Sequence, residues 1–351
     1  IMKKIGIDIY KIKDLYTGLG QFSLHFKNEI RKYENEDFEF HYFAPKLYCK
    51  EHPDEQRLIS EHFKYRYFQN WCPVFDLWHS LHQFPSHLPN PKSPLILTIH
   101  DLNFLIEKSP TKAKAYLKKL QNNVDRATVI TTISDYTKTM VEDHLQLKGK
   151  KVSTIHNGVY HFIPTDSVKP EYISGDFFFG LSVFKEKKNF HTLIPMMKYF
   201  DKFQLILAGN HDTEYGRSIM DLIRSEHLES RVILPGKISD QQKRWLYDNC
   251  SAFMFPSLAE GFGNPPIEAM QHGKPVFLST ACSLPEIGGS AAYYFEHFDT
   301  SYMVEKVKLS LEHYYNHLEM NIEAIKKHAS QFSWDNAIRK YLQIYRDTLN
   351  V

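Results

Sequence analysis

Cysteine is scarce in this sequence, and its four copies, Cys49, Cys72, Cys250 and Cys282, lie far apart. No pair has Cys-x-x-Cys spacing, which excludes the common zinc and dithiol motifs. The scatter fits a reducing compartment. Long apolar runs are missing as well. No stretch approaches the ~18 residues of a membrane-spanning helix, so any membrane association is expected to be peripheral. A strong charge bias is absent: net charge is +2 over 351 residues, which removes the electrostatic reason to expect a nucleic-acid partner. There is no Asp-x-Asp string, no internal repeat and no low-complexity tract. No secretory leader is read at Met2-Lys3-Lys4, which runs into a strand pattern, and a cytoplasmic protein is expected, at most resting on the inner face of a membrane.

What is present describes a folded chain of two α/β domains. It is 42% hydrophobic and 24% charged, the balance of a globular protein, and long enough for two domains of ordinary size. Charge is unevenly spread. Residues 1–165 hold 23 Lys and Arg against 18 Asp and Glu, the remainder 20 against 23. A mildly basic first half suits an anionic acceptor or a membrane surface, although an ordinary solvated surface also accounts for it.

Strand-like runs alternate with helical periodicity. Strands are expected at Lys4–Ile9, Phe38–Phe43, Leu95–Ile99, Val129–Ile133 and Val152–Ile155, with a helix from Phe22 on. A second series starts near Asp176. It has strands at Phe177–Leu181, Gln204–Ala208, Val232–Leu234, Ala252–Phe255 and Pro275–Leu278, and helices at Asn189–Phe200, Asp212–His227, Asp240–Asn249 and Pro265–His272. Such alternation implies parallel sheets joined by right-handed crossovers. The polar stretch Thr165–Ser174 separates the two series. Domains are therefore expected at 1–165 and 166–330, with 331–351 as a closing helix. Open parallel sheets bind ligands at the carboxyl ends of their strands, so chemistry is expected on the loops that follow strands.

The richest such loop runs from Ser257 to Glu268 and reads Ser-Leu-Ala-Glu-Gly-Phe-Gly-Asn-Pro-Pro-Ile-Glu. Gly261 and Gly263 let the backbone turn tightly and come close to a ligand. Pro265 and Pro266 suit the start of a helix, whose N-terminus favours an anion such as a diphosphate. Glu268, read as lying in the first helical turn, can accept bonds from both hydroxyls of a ribose. Glu260, before the turn, falls on the side where a transferred sugar belongs. Alone, each glutamate has an ordinary explanation: helix-dipole complementation for Glu268, solvent for Glu260.

Together these residues resemble family 4 of the retaining glycosyltransferases. The family's hallmark is a Glu, seven residues and a second Glu, here Glu260 and Glu268. The likeness extends through Gly273-Lys274-Pro275-Val276 and Leu284-Pro285-Glu286 and touches nearly the whole chain. It implies the GT-B fold, an α/β architecture of two doubly wound Rossmann-like domains facing across a cleft. It also implies roles: Glu260 on the sugar, Glu268 on the ribose, and Gly261, Phe262, Gly263 and Asn264 around the donor. Asn264 stands where the mannosyltransferase branch usually has an apolar residue.

Other positions follow from the same resemblance. Lys188 matches the family's phosphate lysine. The usual accompanying arginine is absent, and Lys185 or Lys187 takes its place. Gly18 and Gly20 match the glycine loop of the first domain, Gly209 a loop that borders the nucleotide, and His100 a histidine near the sugar and acceptor. The implied reaction moves a hexose, with mannose from GDP-mannose preferred over a UDP-hexose, to a glycan or lipid-linked acceptor. Configuration is retained, and no metal or other cofactor takes part. Two rival readings keep the same fold: an enzyme of another reaction type, such as a nucleotide-sugar epimerase, and a non-catalytic partner subunit.

Overall fold

The computed structural model describes residues 2–15, 17–34, 37–160 and 166–351. The chain divides into two compact units, one formed by Ile1–Gly158 with Ser333–Val351, the other by Val159–Phe332. The boundary expected at residue 165 lies outside the described residues.

The first unit is built on seven parallel strands: β1 (Lys3–Asp8), β2 (Phe38–Ala44), β3 (Leu58–Ser60), β4 (Leu77–Ser80), β5 (Leu95–Ile99), β6 (Val129–Thr132) and β7 (Val152–Thr154). Their order is β3-β2-β1-β4-β5-β6-β7. The central strands are buried, the last four residues of β1 and every residue of β4 and β5 among them, as a sheet covered on both faces requires. One core cluster gathers Phe43, Trp78, Leu97, Leu120 and Val141. On the other side, helix Trp334–Leu349 contributes the buried side chains of Trp334, Ile338, Tyr341, Leu342 and Tyr345. Tyr345 bonds Nδ1 of the buried His79 at 2.6 Å, and His79 Nε2 meets Thr98 Oγ1 at 2.7 Å.

The second unit has six parallel strands: β8 (Asp176–Leu181), β9 (Phe203–Ala208), β10 (Val232–Gly236), β11 (Ala252–Phe255), β12 (Val276–Ser279) and β13 (Tyr293–Phe295). The order is β10-β9-β8-β11-β12-β13. Phe177, Phe178 and Phe179 on β8 are all buried, each contributing about 1.5–3 kcal/mol through burial. Both sheets reverse their winding once, between β1 and β4 and between β8 and β11. These are the switch points where ligands bind in open α/β sheets.

Three expectations change. The segment 190–199 is not one α-helix: 3-10 turns Phe190–Thr192 and Met197–Tyr199 flank a single α turn, Leu193–Met196. Pro195 has no N–H to give back along the helix, which breaks the i→i−4 ladder. The first helix starts at Gly18, not Phe22, because Thr17 caps it by accepting from the Gly20 N–H at 3.1 Å. Strands β3, β4 and β13 were not expected.

Candidate active site

Lys188 and Glu260 come from the loops that follow β8 and β11, the two strands at the switch point of the second sheet. Their side chains form an ion pair and are only 12% and 13% exposed. The loops are tied together by backbone. The Lys187 carbonyl accepts from the Leu258 N–H at 2.7 Å and from Ser257 Oγ at 3.1 Å. Ser279 on β12 bonds the Ser257 carbonyl, and Ser283 bonds the carbonyls of Phe262 at 2.7 Å and Glu260 at 3.3 Å. The Lys188 ammonium also lies 5.3 Å from the centre of the Phe255 ring. Lys185 is exposed and Lys187 half-buried.

Helix Asn264–Gln271 opens after Gly263, at φ 130°, with no side-chain cap. Pro265 and Pro266 leave Asn264 the only N–H among its first three residues. Asn264 Oδ1 is buried without a hydrogen-bond partner among the described residues. Glu268 is the fifth helical residue, so it begins the second turn rather than sitting in the first. Its carboxylate accepts from Tyr247 Oη at 2.9 Å and lies 3.6 Å from Lys243 Nζ. Burial, then the Glu268 charge, push the Tyr247 hydroxyl well above its ordinary pKa. It therefore stays protonated and donates. Lys243 and Tyr247 stand four apart on helix Asp240–Asn249, on one face. Neither was singled out in the sequence, since such a pair has no local signature.

Phe262 lies between the two glycines of this loop. Its side chain is buried, with its ring 5.8 Å from that of Phe332, so it anchors the loop by packing. Gly209 adopts φ 130°, and a Cβ there would fall 1.8 Å from the Ser182 carbonyl oxygen. Its N–H is committed to the Gly236 carbonyl at 2.8 Å. Gly209 thus lets the loops after β8, β9 and β10 fit together.

The remaining expected residues lie in the first unit. His100 follows β5 and is buried. Its Nε2 bonds the Leu81 carbonyl at 2.7 Å, so Nε2 carries the proton and Nδ1 the lone pair. Burial pushes its pKa down to about 4, partly offset by the Leu81 bond and reinforced by the Lys11 charge. Phe22 packs edge-on against the imidazole at 4.7 Å. Gly20 cannot offer its amide to a ligand while Thr17 holds it. A Cβ there would meet the Asp14 carbonyl oxygen at 1.9 Å, so glycine serves packing. Gly18 is exposed, with nothing within 4 Å of an added Cβ. Asp101 Oδ1 accepts from the Asn103 N–H at 2.9 Å and shapes its loop.

The two halves of the chain match two related families. Residues 169–328 match Glycosyl transferases group 1, and residues 26–161 match Glycosyltransferase Family 4. By these matches the chain resembles glycosyltransferase family 4. Among its relatives, the serotype-specific mannosyltransferase WbdA of Escherichia coli is 28% identical over 261 residues, covering 69% of this chain and 32% of that one. The chain thus spans about a third of that relative's length. An uncharacterised glycosyltransferase of Methanocaldococcus jannaschii is 28% identical over 374 residues and 99% of both chains. The fold is GT-B: Anabaena HepE, solved in complex with UDP and glucose, superposes with a TM-score of 0.71 at 17% identity, covering 98% of this chain and all of that one.

Proposed function

We propose that this chain is a family 4 retaining hexosyltransferase that takes its sugar from a nucleotide-diphosphate donor without a metal. The carrying observation is the Lys188–Glu260 pair at the β8/β11 switch point, with Glu268 eight residues on. A donor's distal phosphate competes with Glu260 for the Lys188 ammonium. Once displaced, the Glu260 carboxylate is available to the sugar hydroxyls. Lys188 and the start of helix Asn264–Gln271 stabilise charge as it grows on the departing diphosphate. Glu268, held by Tyr247 and Lys243, accepts from the ribose hydroxyls. His100, neutral at working pH, orients by hydrogen bonding rather than by charge. The departing phosphate itself helps deprotonate the acceptor hydroxyl on the face it leaves, so configuration is retained.

GDP-mannose is the favoured donor, in keeping with relatives named as mannosyltransferases. The acceptor is a hydroxyl of a glycan or lipid-linked glycan. A UDP-hexose is the second reading, favoured by Asn264, whose buried amide oxygen can accept from a sugar hydroxyl. A thermal-shift panel of GDP, UDP, ADP and dTDP in EDTA tests both. A ligand that binds only the folded state stabilises it by ~2.7 kcal/mol at a hundredfold excess over its dissociation constant. A shift with GDP alone supports mannosyl transfer, and a shift with UDP alone overturns that choice. Stability unmoved by every nucleotide overturns the transferase reading in favour of a non-catalytic partner subunit.

A further inference from the structure

The first unit carries an apolar group that its core does not use. After β3 the chain runs through a short helix, Phe63–Tyr67, and a single 3-10 turn, Gln69–Trp71. Phe63, Tyr67 and Trp71 are 67%, 72% and 60% exposed, and Phe68 and Val74 are exposed as well. The Phe68 and Trp71 rings lie 6.3 Å apart, and the Lys64 ammonium sits 4.7 Å from the centre of Trp71. Tyr65 turns inward toward Phe43 and His87, so the helix is anchored while its other aromatic residues face out. From His62 to Phe75 the sequence contains Lys64 and Arg66 and no Asp or Glu.

Single exposed apolar side chains are ordinary, but a contiguous group marks a surface that something covers. Protein interfaces are rich in aromatic residues yet poor in lysine. The water–lipid boundary takes both: aromatic rings settle at headgroup depth, and Lys and Arg lay their stems on apolar surface while their charges meet lipid phosphates. Lys64 resting on Trp71, in a stretch with basic but no acidic residues, fits the second pattern. We propose that His62–Phe75 docks on an anionic bilayer, with Phe63, Tyr67, Phe68 and Trp71 entering the interfacial layer and Lys64 meeting lipid phosphate. Among the described residues no helix is long and apolar enough to cross a membrane, so this segment attaches the chain at the surface. The inference stands independently of the transferase reading.

Sedimentation of the full chain with vesicles tests it. Vesicles of phosphatidylcholine mixed with phosphatidylglycerol are expected to carry the protein down. Pure phosphatidylcholine, or high salt, is expected to weaken binding about tenfold as the ionic contribution is lost. The double variant Phe68→Ser/Trp71→Ser is expected to lower partitioning by at least about tenfold with its melting temperature kept. Lys64→Glu is expected to reduce binding to the anionic vesicles alone, and serves if the double variant does not fold. No sedimentation at low salt overturns the proposal. So does unchanged binding by the folded variants, or a self-association that these variants abolish, since a second copy would then cover the patch. The nucleotide-induced thermal shift, read on the same samples, reports on the transferase reading separately.

Discussion

Removing the Glu260 carboxylate leaves Lys188 paired with nothing in a setting where both side chains are nearly enclosed. Glu260→Gln keeps the shape and one acceptor oxygen but loses the charge. Transfer is expected to fall about 10²–10³-fold, as when one preorganised electrostatic group is removed from an active site, and the melting temperature to fall as well, because a nearly enclosed ammonium loses its counter-charge. Nucleotide release measured with saturating donor and acceptor checks this, and near-normal turnover would rule out a catalytic part for Glu260. Tyr247→Phe takes one donor from Glu268, about 1 kcal/mol. That corresponds to roughly a fivefold rise in the nucleotide dissociation constant with turnover unchanged, and calorimetric titration reads it directly. The buried histidines set a pH dependence. Folded, His79 and His100 stay neutral until pH falls to about 3 and about 4, burial being the main cause in each. Unfolded, each takes up a proton near pH 6.5. Between those values the unfolded chain binds more protons, so their stabilising effect is complete above the unfolded value and is lost as pH falls. The slope reaches about 1.4 kcal/mol per pH unit for each histidine. Melting curves recorded from about pH 7.5 down to about pH 5 are expected to show a falling midpoint, and a flat profile would contradict the neutral, buried state.

At the level of elements, the glycines separate two kinds of requirement. Gly209→Ala drives a Cβ into the Ser182 carbonyl at a positive φ. The loops after β8 and β9 must then move, with several kcal/mol lost and nucleotide binding lost with it. Gly18→Ala meets empty space in the first turn of a helix, and alanine there is expected to hold or raise stability by up to about 1 kcal/mol. Thermal melts with nucleotide titration compare the two. Should Gly18→Ala keep its stability but lose nucleotide affinity, that glycine serves a close approach of the backbone to the ligand. Much of this level could be read in advance. β5, β8, β9 and β11 are strongly apolar runs between helices, and their following loops hold the unusual residues. Less was legible where the signal is not local along the chain. β4 is four residues with a histidine inside it, whose two ring nitrogens are satisfied by Thr98 and the distant Tyr345. Lys243 and Tyr247 look like any amphipathic helix until Glu268 folds against them. The packing of the Phe262 side chain against Phe332 joins positions seventy residues apart and leaves no local trace.

Across the whole molecule the chain leaves the first unit after Gly158 and returns at Ser333. Where it does so, the Val159 N–H donates to the Phe332 carbonyl at 2.8 Å, so the ends of the second unit are stitched together. Within the first unit Gly158 lies against Trp334, and a Cβ on Gly158 would fall 2.4 Å from its ring. Deleting Ser333–Val351 uncovers the surface beneath five large side chains, each worth about 1.5–3 kcal/mol, and strips His79 of Tyr345. That sum rivals the whole stability of a typical domain, so the truncated chain is expected to lose the melting transition of the first unit. The transition of Val159–Phe332, which has its own sheet and core, is expected to survive, and differential scanning calorimetry resolves the two. The same stitching decides how the molecule carries tension. A load applied between β1 and helix Trp334–Leu349 passes through the first unit alone, because both grips belong to it. The second unit hangs as a slack loop, shielded from force until β7 and that helix part. An optical trap should therefore record the rupture of the first unit before any lengthening from the second.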